Sequence, residues 1–205
     1  MKNIIAVIDY GMGNLNSVSK AFEKVGADVI ITSDSAAVRR ARAVVLPGVG
    51  SFRDAMLNLR KIGMESAITD IIAGGTPFLG ICLGLQLLFE KSQEGRYPGL
   101  GILKGEVKKF PPGSLKVPHM GWNSVKIKKQ GHSIFAGVKD NSYFYFAHSY
   151  CAFPAENKAV SGSTRYGIEF ASAVCEGNIN AFQFHPEKSG ETGLNVLCNF
   201  YRMVR

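Results

Sequence analysis

Residues 76–89 have the sequence Thr-Pro-Phe-Leu-Gly-Ile-Cys-Leu-Gly-Leu-Gln-Leu-Leu-Phe. Gly80 and Gly84 each stand two positions from Cys82, within an otherwise apolar run. This is the spacing of a nucleophile elbow, a sharp strand-to-helix turn that holds a reactive side chain at its tip. Glycines suit such a turn because side chains there would crowd the backbone. We therefore predict a strand, a tight turn and a helix that is apolar nearly all round, whose N-terminus favours the Cys82 thiolate.

The chain before this stretch alternates short apolar runs with helical periods. Strands are predicted at residues 3–8, 28–31, 43–46 and just before Cys82, with helices at 15–25, from a cap at 33 or 34 through 42, and over 52–72. Such β-α alternation predicts an α/β fold with a doubly wound, mostly parallel, flavodoxin-like central sheet. Ligand sites in such sheets lie at the carboxyl ends of the strands. Asp9, residues 47–50 and Cys82 all follow predicted strands.

After residue 91 the pattern changes to glycines, prolines and alternating residues. Antiparallel hairpin strands are predicted at 105–110 and 124–128, with residues 117–123 as a loop between them. An aromatic strand is expected at 143–150, another strand at 179–184 and a last helix capped by Ser189. No linker or internal repeat is visible, so we predict a single domain over residues 1–205.

The composition limits the classes of function. Hydrophobic residues make up 46% of the chain and charged residues 20%, which is typical of a globular domain. No apolar run has the length of a membrane span, and no cleavable signal is visible, so a cytoplasmic protein is expected. The net charge of +8 comes without the aromatic-interleaved basic stripe of a nucleic-acid module, and it fits better a solvated surface, which could also face an acidic partner.

Cofactors and metals are not expected. The four cysteines lie far apart without a Cys-x-x-Cys pair, which indicates neither a zinc site nor a disulfide framework. Gly11 and Gly13 follow a strand, but Asn16 stands where a dinucleotide-binding loop needs its third glycine.

A thiolate nucleophile needs a base, and the base needs an orienting acceptor. His185 and Glu187 follow the strand at 179–184, and residues two apart in an extended segment point the same way. Pro186 between them stiffens this segment. Of the four histidines, His185 is therefore the best candidate base for Cys82. The glycine-rich residues 47–50 can present backbone amides to an oxyanion, or they can form a plain strand-to-helix turn.

These motifs together resemble those of class I, triad-type glutamine amidotransferases. They are Gly-Ile-Cys-Leu-Gly-Leu-Gln at 80–86, Pro-Gly-Val-Gly at 47–50 and His-Pro-Glu at 185–187. The resemblance implies a Cys82–His185–Glu187 triad that hydrolyses L-glutamine to glutamate and ammonia. It also implies an oxyanion and substrate site formed by Gly48, Val49, Gly50, Leu83, Gln86, His148, Ser149 and Tyr150.

Two further stretches are similar to one branch of that family, the glutaminase subunits of imidazole glycerol phosphate synthases. They are residues 9–15 and Pro-His-Met-Gly-Trp-Asn at 118–123. The resemblance implies a heterodimer with a (β/α)8-barrel cyclase, which uses the ammonia to make imidazole glycerol phosphate and aminoimidazole carboxamide ribotide in histidine biosynthesis. It would direct Asn14, Trp122, Asn123 and Lys188 toward the cyclase.

Three alternatives remain open from the sequence. Leu85 replaces the histidine that many other class I members carry there, which weakens but does not exclude a glutaminase that serves another synthase. A non-catalytic flavodoxin-like protein would leave Cys82 inert. A cysteine peptidase would share the elbow but would not account for residues 119–122.

Overall fold

The computed structural model describes residues 4–113, 115–129 and 132–204. Its strands are Ile4–Ile8 (β1), Asp28–Thr32 (β2), Ala43–Gly48 (β3), Phe78–Cys82 (β4), Phe89–Ser92 (β5), Leu103–Lys109 (β6), His119–Ile127 (β7), Ser142–His148 (β8), Tyr150–Pro154 (β9), Val160–Tyr166 (β10), Ile168–Glu176 (β11) and Ile179–Phe182 (β12). Its α-helices are Leu15–Lys24 (α1), Ser35–Arg40 (α2), Phe52–Lys61 (α3), Met64–Ala73 (α4), Leu83–Leu87 (α5) and Gly190–Val204 (α6). Short 3-10 turns occur at Ser133–Phe135, Asn157–Ala159 and Pro186–Lys188.

The central sheet confirms the predicted α/β class. Its first five strands run in the order β2-β1-β3-β4-β12, and each neighbouring pair is parallel. β1, β3, β4 and β12 are almost entirely buried, as expected of strands covered on both faces. One apolar cluster packs α1 and α6 on the first face through Phe22 and Phe200, and a second packs α3 and α4 on the other through Met56 and Ile68.

The sheet continues in antiparallel form beyond β12. The order is β12-β11-β10-β7-β8, while β9 pairs antiparallel with β11 and β6. The β5–β6 pair is the parallel exception in this half of the sheet. The predicted hairpin region after residue 91 is therefore a continuation of the central sheet. β8 and β9 bring the segment around His148 to the carboxyl edge of β4.

Three local predictions were wrong. Residues 52–72 form two helices, α3 and α4, because Gly63 adopts a left-handed conformation with φ 67° between them. The helix after Cys82 ends at Leu87, and β5 begins at Phe89. Residues 119–123 belong to strand β7, because its backbone pairs antiparallel with β8, placing His119 opposite His148 and Trp122 opposite Tyr145.

The helix caps were predicted in part. Asp34 caps α2, and its carboxylate accepts hydrogen bonds from the amides of Ala36 and Ala37. The Ser189 hydroxyl is engaged differently, since it donates to the carbonyl of His185 and accepts from the amide of Tyr145. Ser189 therefore ties the segment around His185 to β8. In the described ranges, no helix is long and apolar enough to cross a bilayer.

Candidate active site

Cys82 stands at the tip of a strained turn between β4 and α5. Its φ of 54° and ψ of −105° are unusual for a residue with a side chain. A Cβ atom at Gly84 would lie 1.8 Å from the carbonyl oxygen of Leu46, and one at Gly80 would lie 2.9 Å from that of Gly84. Both glycines are thus required by the close approach of backbones, and they leave Cys82 as the displayed side chain.

His185 and Glu187 lie beside Cys82, just beyond the end of β12. The His185 Nδ1 donates to Oε1 of Glu187 at 2.8 Å, and both side chains are buried. Burial alone would lower the pKa of His185. The negative charge of Cys82 and its hydrogen bond, followed by the hydrogen bond and charge of Glu187, outweigh burial and raise that pKa to about 10. The site therefore favours the imidazolium form of His185 at neutral pH.

A buried pair of amides connects Cys82 to β9. Gln86 Nε2 donates to the carbonyl of Tyr150 at 3.0 Å and to Oε1 of Gln183 at 3.0 Å. Gln183 Nε2 in turn lies 3.7 Å from the sulfur of Cys82. Gln183 is fully buried, and its backbone amide donates to Ser172 on β11. The side chains of Gln183 and Gln86 thus link the sulfur of Cys82 to the backbone of β9.

A cavity of about 220 Å³ opens in front of the sulfur. This volume lies below the roughly 300–1,000 Å³ of drug-sized sites and suits a small metabolite. It is lined by Val49, Gly50, Cys82, Leu83, Gln86, Glu94, Pro118, Ala147, His148, Ser149 and Tyr150. The structure therefore brings together all of the predicted substrate-site residues except Gly48, which is not among the lining residues.

Gly48 and Gly50 shape the loop at one side of this cavity. A Cβ at Gly48 would lie 2.2 Å from the hydroxyl of Tyr10, so the Tyr10 side chain packs directly against the loop at Gly48. Gly50 has φ 95°, a conformation that favours glycine. Val49 between them is exposed. The loop is close-packed on its inner side and open on the side that faces the cavity.

His148, which lines the cavity, belongs to a buried histidine pair. Its Nδ1 donates to the carbonyl of Tyr150 at 2.8 Å, and its Nε2 lies 3.0 Å from Nδ1 of His119. Burial lowers the pKa of His148 to about 3 and that of His119 to about 4, so both rings are neutral at pH 7. With Nδ1 of His148 donating, its Nε2 must accept from His119, whose Nε2 then accepts from Asn123 at 3.3 Å.

The residues predicted to face a partner occupy different environments. Asn14 is exposed at the start of α1, where its side chain accepts from the amide of Ser17, and Lys188 is exposed after Glu187. Trp122 is 55% exposed on β7. Asn123 is partly buried, and its amide also donates to the carbonyl of Arg165. It therefore supports His119 and is not a freely projecting contact residue.

Three residues of the site were missed by the sequence analysis. Gln183 precedes His185 by two positions, so the same alternation that paired His185 with Glu187 would have found it. Glu94 follows β5 in a segment without periodicity, and its carboxylate accepts from the amide of Phe52 at 2.8 Å. Tyr10 follows β1 and has a buried hydroxyl without a hydrogen-bond partner in the part of the chain described here. No group of three potential metal ligands occurs among the described residues.

Comparison with known protein families agrees with this geometry. The family model for glutamine amidotransferase class-I matches residues 6–204. The chain belongs to this family. The resemblance drawn from the three sequence motifs is thus confirmed over nearly the whole chain.

Curated relatives of similar length share about half of their residues with the chain. The imidazole glycerol phosphate synthase subunit HisH of Moorella thermoacetica is 52% identical over 98% of this chain and 95% of its own length. The protein of the same name from Aquifex aeolicus is 52% identical over 96% of this chain and 95% of its own.

Solved structures with lower identity share the fold. The PurLQS structure from Thermotoga maritima superimposes with a TM-score of 0.80 at 17% identity and covers all of both chains. A glutamine amidotransferase from the same organism gives a TM-score of 0.66 at 17% identity and covers 94% of this chain and 79% of its own. These likenesses concern the architecture only.

Proposed function

We propose that this chain is the glutaminase subunit of an imidazole glycerol phosphate synthase. It hydrolyses L-glutamine with Cys82 as nucleophile, His185 as proton carrier and Glu187 as the acceptor that orients His185. The observation that carries the proposal is the strained Cys82, which lies beside the buried His185–Glu187 pair and lines a cavity suited to a small metabolite. Relatives that are about 50% identical to this chain carry the synthase name, and they align with it over nearly their full length.

The first half of the reaction forms a thioester. The Cys82 thiolate attacks the side-chain amide carbon of glutamine, and the carbonyl oxygen becomes an oxyanion. Backbone amides near Val49 and Gly50 and that of Leu83, directly after the nucleophile, are the proposed donors to this oxygen. As the tetrahedral intermediate collapses, the carbon–nitrogen bond breaks and the His185 imidazolium gives its proton to the departing nitrogen. Ammonia leaves and a γ-glutamyl thioester remains on Cys82.

The second half returns the enzyme to its starting state. The neutral His185 takes a proton from a water molecule that attacks the thioester carbonyl. The carbon–sulfur bond breaks, glutamate is released, and Cys82 and His185 again form the thiolate–imidazolium pair. Glu187 stabilises the imidazolium in both steps because it accepts from Nδ1 and leaves Nε2 toward the reacting atoms.

The cavity also contains groups that suit the amino-acid end of glutamine. Glu94 is the one acidic side chain among its lining residues, and it would attract the α-ammonium group. Gln86 is held by the Tyr150 carbonyl and by Gln183. Ser149 and Tyr150 line the same wall. We infer that this wall binds glutamine with its side-chain amide directed toward Cys82.

An exposed apolar face next to the cavity suits a partner protein. Met120 is 65% exposed and Trp122 is 55% exposed on β7, and Tyr143 is 61% exposed on β8. Met120 lies opposite Ala147, which lines the cavity. Contiguous apolar surface of this kind marks interaction sites. We propose that a (β/α)8-barrel cyclase covers this face in the cytoplasm and receives the ammonia there, and that the 1–205 chain acts as one glutaminase domain.

The proposal is tested by glutamate release from glutamine. The wild-type chain and its Cys82→Ala variant are assayed alone and with the cyclase plus its ribulosyl-aminoimidazole phosphate substrate. Glutamate that is formed by the wild type, increases with both additions and disappears in Cys82→Ala would support the proposal. An undiminished rate in Cys82→Ala would refute the nucleophile. A rate of glutamate release that does not change when the cyclase is added would indicate a glutaminase that serves a different synthase. Cleavage of casein would indicate a peptidase.

A further inference from the structure

The fully buried Gln183 touches the sulfur of Cys82 but has no place in the three-residue triad. We propose that the Gln183 side-chain amide is a dedicated hydrogen-bond donor to the Cys82 thiolate, held in its donating orientation by Gln86 and the Tyr150 carbonyl. The inference rests on the proposed role of Cys82 as nucleophile and adds a residue to that site.

The direction of the Gln183 amide follows from the backbone. The carbonyl oxygen of Tyr150 can only accept, so the atom of Gln86 that lies 3.0 Å from it must be the amide nitrogen. The same nitrogen lies 3.0 Å from the Gln183 side chain, which must present its oxygen there. The nitrogen of Gln183 is consequently the atom that faces the sulfur at 3.7 Å. The Tyr150 carbonyl thus determines which atom donates in the Gln86–Gln183 contact and in the Gln183–Cys82 contact.

The sulfur has two neutral hydrogen-bond partners that favour opposite protonation states. Gln183 Nε2 is a donor and can pair only with a lone pair of the sulfur, which is strongest on a thiolate. The carbonyl of Ala147, 3.9 Å from the sulfur, is an acceptor and can pair only with a protonated thiol. Donors to a charged form favour that form. Gln183 therefore shifts the balance toward the thiolate, in addition to the contribution of His185.

The other titratable groups around Cys82 act on the same balance. His185 lies beyond β12, and its positive charge favours the thiolate. Tyr10 lies below the glycine loop, and burial followed by the charge of Cys82 raises the pKa of its hydroxyl, which keeps it neutral. Glu94 lines the same cavity and opposes a second negative charge. Gln183 supplies a donor without a charge of its own, and this donor does not itself titrate.

Gln183→Met tests the inference because methionine keeps the length of the side chain but cannot donate. Gln183→Glu keeps the shape and still accepts from Gln86, but as a carboxylate it cannot donate to the sulfur. Asn180→Leu is the matched control, since Asn180 is a buried amide on β12 that contacts a different sulfur, Cys175, at 3.3 Å. Thermal unfolding of each full-length variant shows whether it is folded.

The measurement is the rate of Cys82 alkylation by iodoacetamide across pH, followed by mass spectrometry of the Cys82 peptide. Both Gln183 variants should be alkylated roughly tenfold to a hundredfold more slowly at pH 7, the range expected for losing a hydrogen bond to a charged group. Their rate profiles should move to higher pH, more so for Gln183→Glu, whereas Asn180→Leu should match the wild type. Gln86→Met should give a partial shift because it frees the Gln183 amide to rotate.

Two outcomes separate the failure of this inference from that of the proposed function. Unchanged pH profiles in folded Gln183→Met and Gln183→Glu, with a reactive wild-type Cys82, would overturn the role of Gln183 alone. If wild-type Cys82 were alkylated no faster than the partly exposed Cys198, the nucleophile itself would be refuted, and with it the need for a donor. A purely structural role of Gln183 would lower the unfolding temperature without moving the profile.

Discussion

The Nδ1 atom of His185 lies 2.8 Å from Oε1 of Glu187, with 4% and 1% of the two side chains exposed. A buried carboxylate this close fixes the tautomer of the imidazole and stabilises its charged form. The other carboxylate oxygen, Oε2, has no hydrogen-bond partner in the described part of the chain. Among the described residues, the Glu187 carboxylate therefore makes its hydrogen bond to His185.

Glu187→Gln should reduce glutamate formation by at least about tenfold, because it replaces a charge-assisted hydrogen bond with a neutral one. The unfolding temperature should change little, since the side chain keeps its size. Steady-state kinetics of the complex with the cyclase would show a lower kcat. Lys188→Gln is a neighbouring control for the loss of one charge, and its isolated chain should show wild-type alkylation of Cys82. Wild-type kcat in Glu187→Gln would remove Glu187 from the mechanism.

Cys82→Ala should lower the pKa of His185 below about 10, because the charge and hydrogen bond of Cys82 are lost while the burial remains. NMR titration of the His185 ring resonances would measure this shift directly. At pH 8 the wild-type ring should be cationic. Equal titration of the ring in both proteins would mean that Cys82 and His185 are not coupled.

Gly84→Ala should destabilise the chain by about 3 kcal/mol, since the new Cβ would meet the Leu46 carbonyl oxygen at 1.8 Å and a backbone segment must shift to relieve the contact. Denaturant unfolding would report the change. Gly113→Ala is the matched control because nothing lies within 4 Å of its added Cβ. A stable and active Gly84→Ala variant would show that the elbow is not so tightly packed.

His119 should make the fold sensitive to acid. Its pKa falls to about 4 when buried, whereas an unfolded histidine titrates near 6.5, so the unfolded chain binds more protons between these values. Stability is therefore lost as the pH decreases from about 6.5 toward 4, by on the order of 3 kcal/mol for this one ring. His119→Phe should be less stable at pH 7, since His148 loses its partner, but should lose less stability between pH 7 and 4.5.

Urea unfolding of the wild type and His119→Phe at both pH values would measure the difference. Partial burial, followed by the charge of Lys129, also lowers the pKa of His132, so His132→Phe measures the contribution of a second, more exposed histidine. An identical pH dependence in the wild type and His119→Phe would show that His119 does not contribute to the acid sensitivity.

The parallel half of the fold was predictable because its strands are short apolar runs that alternate with helices. The elbow at Cys82 was predictable for a related reason, since only glycine satisfies the close backbone contacts at Gly80 and Gly84. Strand β7 was not predictable in full. Its first residues contain Gly121 and follow Pro118, which suggest a loop, but pairing with β8 makes them extended.

The side-chain contacts that support the site could not be predicted from the sequence. Gln183 and Gln86 are far apart in the chain, and nothing in their local pattern shows that they meet. The same is true of His119 and His148, which are brought together by the register of β7 and β8. Chain segments that converge only through tertiary packing leave no periodic signal in either segment.

The most direct test of the glutaminase proposal is to detect the acyl-enzyme. The complex with the cyclase, supplied with the cyclase's nucleotide substrate, is mixed with glutamine, stopped with acid within its first turnovers and digested for mass spectrometry. We predict a γ-glutamyl thioester on the peptide that contains Cys82. Glutamate production without modification of Cys82, or turnover that persists in Cys82→Ala, would contradict the proposed mechanism.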